Sequence, residues 1–210
     1  MTQLRDHLAA LPVISSEVVH HGAVWDVRRD VFDFGGERLV REVVDHPGAV
    51  AVLALDADER VTLIRQYRHP VGAWEWELPA GLLDVDGEDP LPAAVRELHE
   101  EVDLTAATWH VLLDYWSSPG GNSEALRIFL ARDLGVVPES QRHSREAEES
   151  DMEVALVPLD EVHEAALAGH LHNPALLAGV LTAHALRARG WVGLRPADAP
   201  WPEHPRRSRA

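Results

Sequence analysis

The sequence predicts an α/β or α+β fold, in which β-strands are interleaved with a small number of helices. Three observations support this prediction. Short apolar runs with strand character recur along most of the chain, an amphipathic segment with helical spacing interrupts them near the centre, and two further helical segments follow towards the end. The length of 210 residues suits one large domain or a main domain with a small extension.

The amino-terminal segment, residues 17–46, alternates in the manner of β-strands and contains the turn Gly35-Gly36. Two strands joined by such a turn form a β-hairpin. Pro47-Gly48 then breaks the pattern. A piece of this size cannot bury a core alone, so it must pack on the rest of the chain or on a second subunit. We therefore predict a small antiparallel β domain over residues 1–47.

The main domain is predicted over residues 48–190. Its strands are expected at residues 49–54, 61–65, 74–78, 109–116, 125–131 and 152–159. Helices are expected at residues 160–168 and 175–189, and Asn173-Pro174 opens the second of them. The polar composition of residues 138–151 predicts a mobile loop. The proline content of residues 191–210 predicts a largely disordered tail.

The composition excludes several classes of function. The chain has no cysteine, which rules out disulfides, thiolate catalysis and cysteine-based zinc sites and makes a cytoplasmic location the expectation. The formal net charge of −16 argues against sequence-independent binding to nucleic acid, which needs a basic surface. The apolar runs are too short and interrupted for a transmembrane helix, so no membrane partner is expected.

The segment from Gly81 to Leu104 contains the residues that point to chemistry. Asp89 can cap a helix there, Pro90 suits its first turn, and apolar residues follow at steps of three and four. Three glutamates occupy positions i, i+3 and i+4 of this helix, namely Glu97, Glu100 and Glu101. They share one face and repel each other.

A divalent cation would compensate this repulsion. Hard ions such as Mg²⁺ take oxygen ligands and commonly combine carboxylates with the phosphates of a substrate. A solvated acidic face on an ordinary amphipathic helix is the alternative explanation of such a string. The turn Pro79-Ala80-Gly81 before the helix, and Glu88 eight positions ahead of Arg96, favour the metal site.

The segment resembles the signature of the Nudix hydrolases, which has a Gly, a Glu, then Arg-Glu-aliphatic-X-Glu-Glu and a later apolar residue. The matching residues are Gly81, Glu88, Arg96, Glu97, Leu98, Glu100, Glu101 and Leu104. The loop between Gly81 and Glu88 is one residue longer than usual, and Asp103 stands where the family usually has glycine. Glycine there would end the helix in a left-handed conformation, which Asp tolerates better than most residues. The resemblance implies an α/β/α sandwich with a mixed sheet.

Strings on either side, over roughly residues 20–185, resemble the ADP-ribose pyrophosphatases of this superfamily. They are Arg65-Gln66-Tyr67-Arg68, Trp76-Glu77-Leu78-Pro79-Ala80-Gly81 and Ser118-Pro119-Gly120-Gly121. The resemblance implies metal-dependent hydrolysis of the diphosphate of ADP-ribose to AMP and ribose 5-phosphate, with Mg²⁺ or Mn²⁺ as the cofactor. It also implies a homodimer formed through the amino-terminal domain.

The same resemblance implies roles for individual residues. The implied metal ligands are Glu97, Glu101, the Ala80 carbonyl and Glu100. Arg96 is expected to orient a carboxylate such as Glu88, and Glu100 to support catalysis. The general base is expected in the acidic loop that contains residues 146–151, at Glu148 first and Glu149 second. A solvated loop with no catalytic residue is the alternative there.

Substrate contacts are expected at five further residues. Trp25 offers a stacking face for adenine, and Arg41 or Glu42 offers polar contacts. Arg68 is a candidate for the phosphates, because a guanidinium fork matches phosphate oxygens. Glu124 is a candidate for the terminal ribose. Each of these residues could instead have a structural role, and Trp25 could be a core or dimer residue.

Two other functions remain as alternatives. One is a pyrophosphatase for another nucleoside diphosphate sugar or a dinucleotide. The other, of a different class, is a non-catalytic nucleotide-binding sensor. The retained glutamates and the lack of a basic helix-turn-helix candidate favour an enzyme.

Overall fold

The computed structural model describes residues 4–143 and 152–205. These residues form two compact units. Unit 1 comprises the described residues of Met1–Gly48, Trp116–Ala125 and Trp201–Ala210, and unit 2 comprises those of Ala49–Tyr115 and Leu126–Pro200. Among the described residues, no helix combines the length and the apolar character needed to cross a membrane.

Unit 1 is built on an antiparallel sheet of three strands, β1 (Val13–His21), β2 (Asp26–Phe34) and β3 (Glu37–Asp45), in that order. Gly35 and Gly36 connect β2 to β3 with φ values of +66° and +94°. A two-residue turn with both φ values positive matches the twist of the flanking strands, and glycine adopts it without strain. The predicted hairpin is therefore confirmed. The sequence prediction did not include β1 as a third strand.

A loop and the carboxyl-terminal residues complete unit 1. The backbone N–H of Val44 donates to the carbonyl of Gly121 at 2.9 Å, and Ser123 N–H donates to the carbonyl of Val44 at 3.0 Å. Trp201 and His204 are buried, with ring centroids 4.7 Å apart. The expectation of a disordered tail from residue 191 is therefore wrong for residues 191–205.

Unit 2 contains two sheets. The strands are β4 (Ala49–Ala54), β5 (Arg60–Arg68), β6 (Ala73–Glu77), β7 (Ala80–Leu82), β8 (Leu104–Trp116), β9 (Ala125–Val136), β10 (Glu153–Pro158) and β11 (Arg195–Pro196). One sheet has the order β11-β8-β9-β4-β7, and the other has the order β10-β5-β6. Because β4 runs parallel to β9 and antiparallel to β7, the larger sheet is mixed, as the family resemblance implies.

Helices cover both faces of the larger sheet. They are α1 (Pro90–Val102), α2 (Leu159–Leu167) and α3 (Pro174–Arg187). Side chains of β4 alternate between two apolar clusters: Leu53 packs in the cluster that contains residues of α2 and α3, whereas Val52 packs in the cluster that contains residues of α1. Successive residues of a strand point to opposite faces, so the helices lie on opposite sides. The predicted α/β/α sandwich is confirmed.

The ends of α1 follow the local sequence in part. Asp103 has φ of +56°, and its N–H donates to the carbonyl of His99 at 3.1 Å. This residue thus ends the helix in the left-handed conformation expected there. At the other end, Asp89 occupies the N-cap position, and Pro90 follows at the first helical residue, but the Asp89 side chain makes no capping hydrogen bond. The expected side-chain cap is found instead on α3, where Asn173 Oδ1 accepts from Leu176 N–H at 3.1 Å.

A buried arginine fixes the carboxyl-terminal residues of unit 2. Arg127 binds Asp114 through Nε at 2.8 Å and Nη2 at 3.0 Å, and its Nη1 donates to the carbonyl of Ala199 at 2.8 Å. Arg195 donates to the same aspartate at 2.9 Å. These bonds, together with the pairing of β11 with β8, explain why residues 195–200 are ordered despite their proline content.

Candidate active site

The acidic face of α1 lies beside β7. The helix buries Ala94, Leu98 and Val102 against the sheet, whereas Val95, which the predicted apolar stripe included, is exposed. The three glutamates that share its other face differ in exposure: Glu101 is buried, whereas Glu97 and Glu100 are partly buried. Partial burial strengthens the repulsion between like charges, so the fold must supply compensating groups.

Arg96 supplies much of that compensation. Its Nε and Nη2 donate to the two oxygens of Glu88 at 3.2 Å and 3.0 Å. Its Nη1 donates to Glu97 Oε1 at 2.6 Å and to Glu100 Oε2 at 3.3 Å. Hydrogen bonding to Glu88, followed by the attraction of Glu97, raises the pKa of Arg96 above its usual value. One permanently charged guanidinium therefore holds three carboxylates in place.

Gly81 makes room for Glu97. A Cβ atom built at Gly81 would overlap the carboxylate of Glu97, so the glutamate lies directly against the backbone of β7. Any side chain at position 81 would displace that carboxylate. This close approach gives a physical reason for glycine at the start of the signature segment.

Ala80 meets Glu101 in the same region. The N–H of Ala80 donates to Glu101 Oε2 at 2.8 Å. Pairing with Ala51 of β4 fixes the backbone of Ala80, and the neighbouring carbonyl of Pro79 accepts from Val52 N–H at 2.8 Å. The structure thus brings the four predicted metal ligands, Ala80, Glu97, Glu100 and Glu101, to adjoining parts of α1 and β7.

The donor chemistry of these residues fits a hard divalent cation. Carboxylate and carbonyl oxygens are the ligands that Mg²⁺ and Mn²⁺ prefer. As the side chains stand, no three acidic or histidine residues in the described part of the chain converge closely enough to hold an ion. Arg96 and the Ala80 N–H occupy carboxylate oxygens that a cation would compete for.

Arg68, the predicted phosphate contact, is held by a buried glutamate. Arg68 Nε and Nη2 donate to the two oxygens of Glu77 at 2.7 Å and 2.8 Å. The Arg68 side chain is 46% exposed, whereas that of Glu77 is only 4% exposed. Hydrogen bonding to Glu77 raises the pKa of Arg68, and the charges of Glu101 and Glu75 raise it further. Arg68 therefore lies in the field of the carboxylate that meets Ala80.

Sequence reasoning assigned no role to Glu77. A signal for it was present, because Glu77 is a charged residue between Trp76 and Leu78 in a predicted strand. A buried carboxylate is rarely tolerated without a cationic partner. The position of that partner, nine residues earlier on β5, depends on the pairing of β5 with β6.

The other predicted substrate contacts lie in unit 1. Trp25 is 45% exposed, and its ring centroid lies 5.4 Å from that of His46. Glu124 Oε1 lies 3.5 Å from Nε2 of the same histidine. The structure thus brings Trp25 and Glu124 to one buried residue, His46, that sequence reasoning did not select. The only available signal for it was its place directly before Pro47-Gly48.

Arg41 and Glu42 lie on exposed positions of β3. Glu42 accepts from Arg29 Nη2 at 2.7 Å, across the β2–β3 pair. Arg41 Nη1 donates to the carbonyl of Val40 at 2.7 Å. The two predicted general bases, Glu148 and Glu149, lie outside the described residues.

Comparison with known proteins decides the family. A model of the NUDIX domain matches residues 45–178. The chain belongs to the Nudix family. It is 44% identical over 193 residues to the ADP-ribose pyrophosphatase of Mycobacterium tuberculosis, with 91% of each chain covered. It is 37% identical over 144 residues to the ADP-ribose pyrophosphatase of Bacillus subtilis, with 68% of this chain and 77% of that protein covered.

Comparison with solved structures agrees. A crystal structure described as an ADP compounds hydrolase matches with a TM-score of 0.69 and 25% identity, covering 90% of this chain and all of that one. The resemblance to Nudix hydrolases inferred from Gly81–Leu104 is therefore confirmed. Nudix ADP-ribose pyrophosphatases generally need divalent metal ions, which agrees with the all-oxygen donor set of α1 and β7.

Glu97, Glu100 and Glu101, held beside β7, are called the glutamate wall below. Substituting Gly81 tests the geometry of this wall. In Gly81→Ala the new Cβ should displace the Glu97 carboxylate, and we expect the affinity for Mn²⁺ to fall about tenfold or more. Mn²⁺ titration followed by electron paramagnetic resonance measures this affinity. Gly120→Ala is the control, because a Cβ at Gly120 meets no atom within 4 Å. An unchanged Mn²⁺ affinity in Gly81→Ala would mean that Glu97 is not a ligand.

Proposed function

We propose that this protein hydrolyses the diphosphate of ADP-ribose to AMP and ribose 5-phosphate, with Mg²⁺ or Mn²⁺ as its cofactor. The observation that carries the proposal is the glutamate wall, in which Arg96, Gly81 and Ala80 hold Glu97, Glu100 and Glu101 in one region. Identity of 44% to an ADP-ribose pyrophosphatase over 91% of both chains supports this choice of substrate.

The residues of the wall have distinct roles in this proposal. Glu97, Glu101 and the Ala80 carbonyl hold the metal, and Glu100 completes the ligand set or binds through water. Arg96 keeps the carboxylates oriented when no metal is present and remains bound to Glu88. A bound divalent ion would neutralise phosphate oxygens, activate the attacking water and stabilise the leaving phosphate.

Arg68 is the proposed contact to the diphosphate. Its guanidinium is half-exposed and pre-oriented by two hydrogen bonds to buried Glu77, so little side-chain entropy remains to be lost on binding. A fixed guanidinium fork suits phosphate oxygens.

We assign the nucleoside part of the substrate to unit 1. The exposed face of Trp25 is suited to stacking on adenine. Glu124, which the sequence suggested for the terminal ribose, contacts the same histidine as Trp25, so we assign it instead to the ribose hydroxyls of the nucleoside. Arg41 and Glu42, both exposed on β3, remain candidates for further polar contacts. We also propose that the protein binds no nucleic acid, because its net charge is −16, and that it is cytoplasmic, because it has no cysteine; cell fractionation can test the location.

Hydrolysis assays test the substrate and the metal site together. With Mg²⁺ we expect hydrolysis of ADP-ribose to exceed that of ADP-glucose and GDP-mannose, measured as kcat/KM from release of the nucleoside monophosphate, AMP or GMP. The Glu97→Gln, Glu101→Gln double variant removes two anionic ligands, so we expect kcat to fall by about 10³ or more. The same double substitution at exposed Glu37 and Glu139 is the charge-matched control.

The outcomes separate the alternatives. A preference for ADP-glucose or GDP-mannose would favour another nucleoside diphosphate sugar as the substrate. Nucleotide binding by the wild type without hydrolysis of any of the three would favour a sensor domain. Full activity in the double variant would contradict the proposed metal role.

The general base is proposed at Glu148. Because a base takes the proton of the attacking water, Glu148→Gln should lower kcat by about 10² or more while KM changes little. Glu149→Gln is the matched comparison and should have the smaller effect. Steady-state kinetics with ADP-ribose measure both. The larger fall in Glu149→Gln would transfer the role to that residue, and full activity in both variants would remove the base from this loop.

A homodimer formed through the amino-terminal domain is also proposed. Every residue of β1 is exposed, including the apolar Val13, Ile14, Val18 and Val19. A strand with this much exposed apolar surface is typical of an interaction site, and a second copy would cover it.

Light scattering coupled to size exclusion tests this dimer. We expect a mass of twice 23.2 kDa for the wild type. Val18→Asp places a charge on β1 and should shift the mass to that of one chain. Val136→Asp, at an exposed valine of unit 2, is the control and should leave the mass unchanged. A wild-type mass of 23.2 kDa at micromolar concentration would contradict the proposal.

A further inference from the structure

We propose that His46 is a positioning residue that holds Trp25 and Glu124 together as one nucleoside-recognition element of unit 1. The proposal rests on the proposed hydrolysis of a nucleoside diphosphate sugar and adds a residue on which its substrate recognition depends. The histidine itself is 5% exposed, so it is not offered as a substrate contact. It acts through Trp25 and Glu124, the two more exposed side chains that it contacts.

The backbone around His46 is fixed by the loop that carries Glu124. The N–H of His46 donates to Ser123 Oγ at 2.9 Å, and Ser123 Oγ lies 3.3 Å from both the carbonyl of Val44 and Oδ1 of Asp45. Glu124 follows Ser123 directly, and its N–H donates to Asn122 Oδ1 at 2.9 Å. The end of β3 and the loop are therefore bound to each other next to the histidine ring.

The hydrogen bonds of the ring determine its tautomer. The N–H of Gly48 donates to Nδ1 of His46 at 3.0 Å. A nitrogen that accepts this bond carries no proton, so the neutral ring has its proton on Nε2. Nε2 is the atom that lies 3.5 Å from Glu124 Oε1. The ring N–H dipole thus attracts the carboxylate and holds it on the side of the histidine.

The same ring also lies beside Trp25. The two rings are tilted by 32° with centroids 5.4 Å apart, so the imidazole limits the orientations open to the indole. The indole remains 45% exposed and can offer surface to a ligand. A side chain held in one orientation loses little entropy when it binds. His46 therefore orders both an aromatic surface and an anionic acceptor.

This combination fits the chemistry of a nucleoside. A base stacks on an aromatic face, and the vicinal hydroxyls of a ribose donate to a carboxylate. Both features must be present at a fixed spacing for one ligand to use them together. A histidine that only stabilised the turn at Pro47-Gly48 would not be expected to contact both side chains through separate parts of its ring.

Two substitutions separate positioning from stability. The Asn amide reaches the place of Nδ1, so His46→Asn can keep an acceptor for Gly48 N–H but loses the donor to Glu124. The Gln amide reaches the place of Nε2, so His46→Gln can keep the donor to Glu124 but loses the acceptor for the turn. His20→Asn, at an exposed histidine of β1, is the control.

We measure KM and kcat for ADP-ribose with Mg²⁺, together with the thermal midpoint of unfolding. His46→Asn is expected to raise KM about tenfold, with kcat within about threefold of wild type and the midpoint unchanged. His46→Gln is expected to lower the midpoint by about 4 °C and to leave KM within about threefold of wild type. A wild-type KM in His46→Asn, or equal increases in KM in both variants, would overturn the positioning role.

Two further measurements keep the inference independent of activity and of folding. Absence of ADP-ribose hydrolysis by the wild type would overturn the proposed function, and the His46 role is then decided by AMP binding in calorimetry, where His46→Asn should bind about tenfold more weakly. If His46→Gln does not fold, nitrogen NMR of the wild-type histidine decides. A proton on Nε2 supports the assignment, and a proton on Nδ1 overturns it.

Discussion

The active-site architecture depends on the compensation of clustered negative charge by Arg96. The Arg96 guanidinium binds Glu88, Glu97 and Glu100, and it thereby offsets the repulsion among the glutamates that share one face of α1. Arg96 meets this need from within the same helix, because its position relative to Glu97 and Glu100 follows from helical spacing. The guanidinium and a divalent ion would share the same carboxylates. In the proposed metal site, Arg96 would keep its bonds to Glu88 when an ion takes the oxygens of Glu97 and Glu100.

The sheet determines where this charged face can lie. All residues of β4 are buried, and their alternation places α1 on one side and α2 and α3 on the other. Because β7 pairs with β4 at the edge of the sheet, the backbone of Ala80 and Gly81 lies beside the glutamates. Glycine at position 81 leaves room for the Glu97 carboxylate, and the Ala80 N–H binds Glu101. The candidate site thus lies between one face of α1 and the short strand β7, and β4 positions both elements.

Local sequence patterns predicted much of this architecture, and long-range contacts account for what they missed. Gly35-Gly36, the spacing of α1 and the left-handed Asp103 follow from the conformational preferences of a few neighbouring residues. The ordered structure of residues 191–205 does not follow from local preferences. It depends on the burial of Trp201 and on a bond from Arg127 to the carbonyl of Ala199, which lies 72 positions later in the chain. The proline and arginine content of this segment suggested disorder, because composition contains no information on long-range contacts. For the proposed site, the glutamates and Arg68 were selected from the sequence through its resemblance to the family, whereas Glu77 and His46 required the strand pairing and the loop contacts that place them.

Glu77 and His46 illustrate one arrangement used twice. In each case a buried polar side chain, 4% exposed for Glu77 and 6% for His46, contacts a side chain that is nearly half-exposed. The buried partner is costly to desolvate, and that cost is offset only when its hydrogen bonds are made. The exposed partner gains a fixed direction, which a solvated Arg68 or Trp25 would lack.

The arrangement also bears on charge: with a net charge of −16, the protein as a whole repels a diphosphate. Attraction must then come from a few oriented cations in one region, and Arg68 can act as one because Glu77 fixes its direction while removing little of its exposed surface.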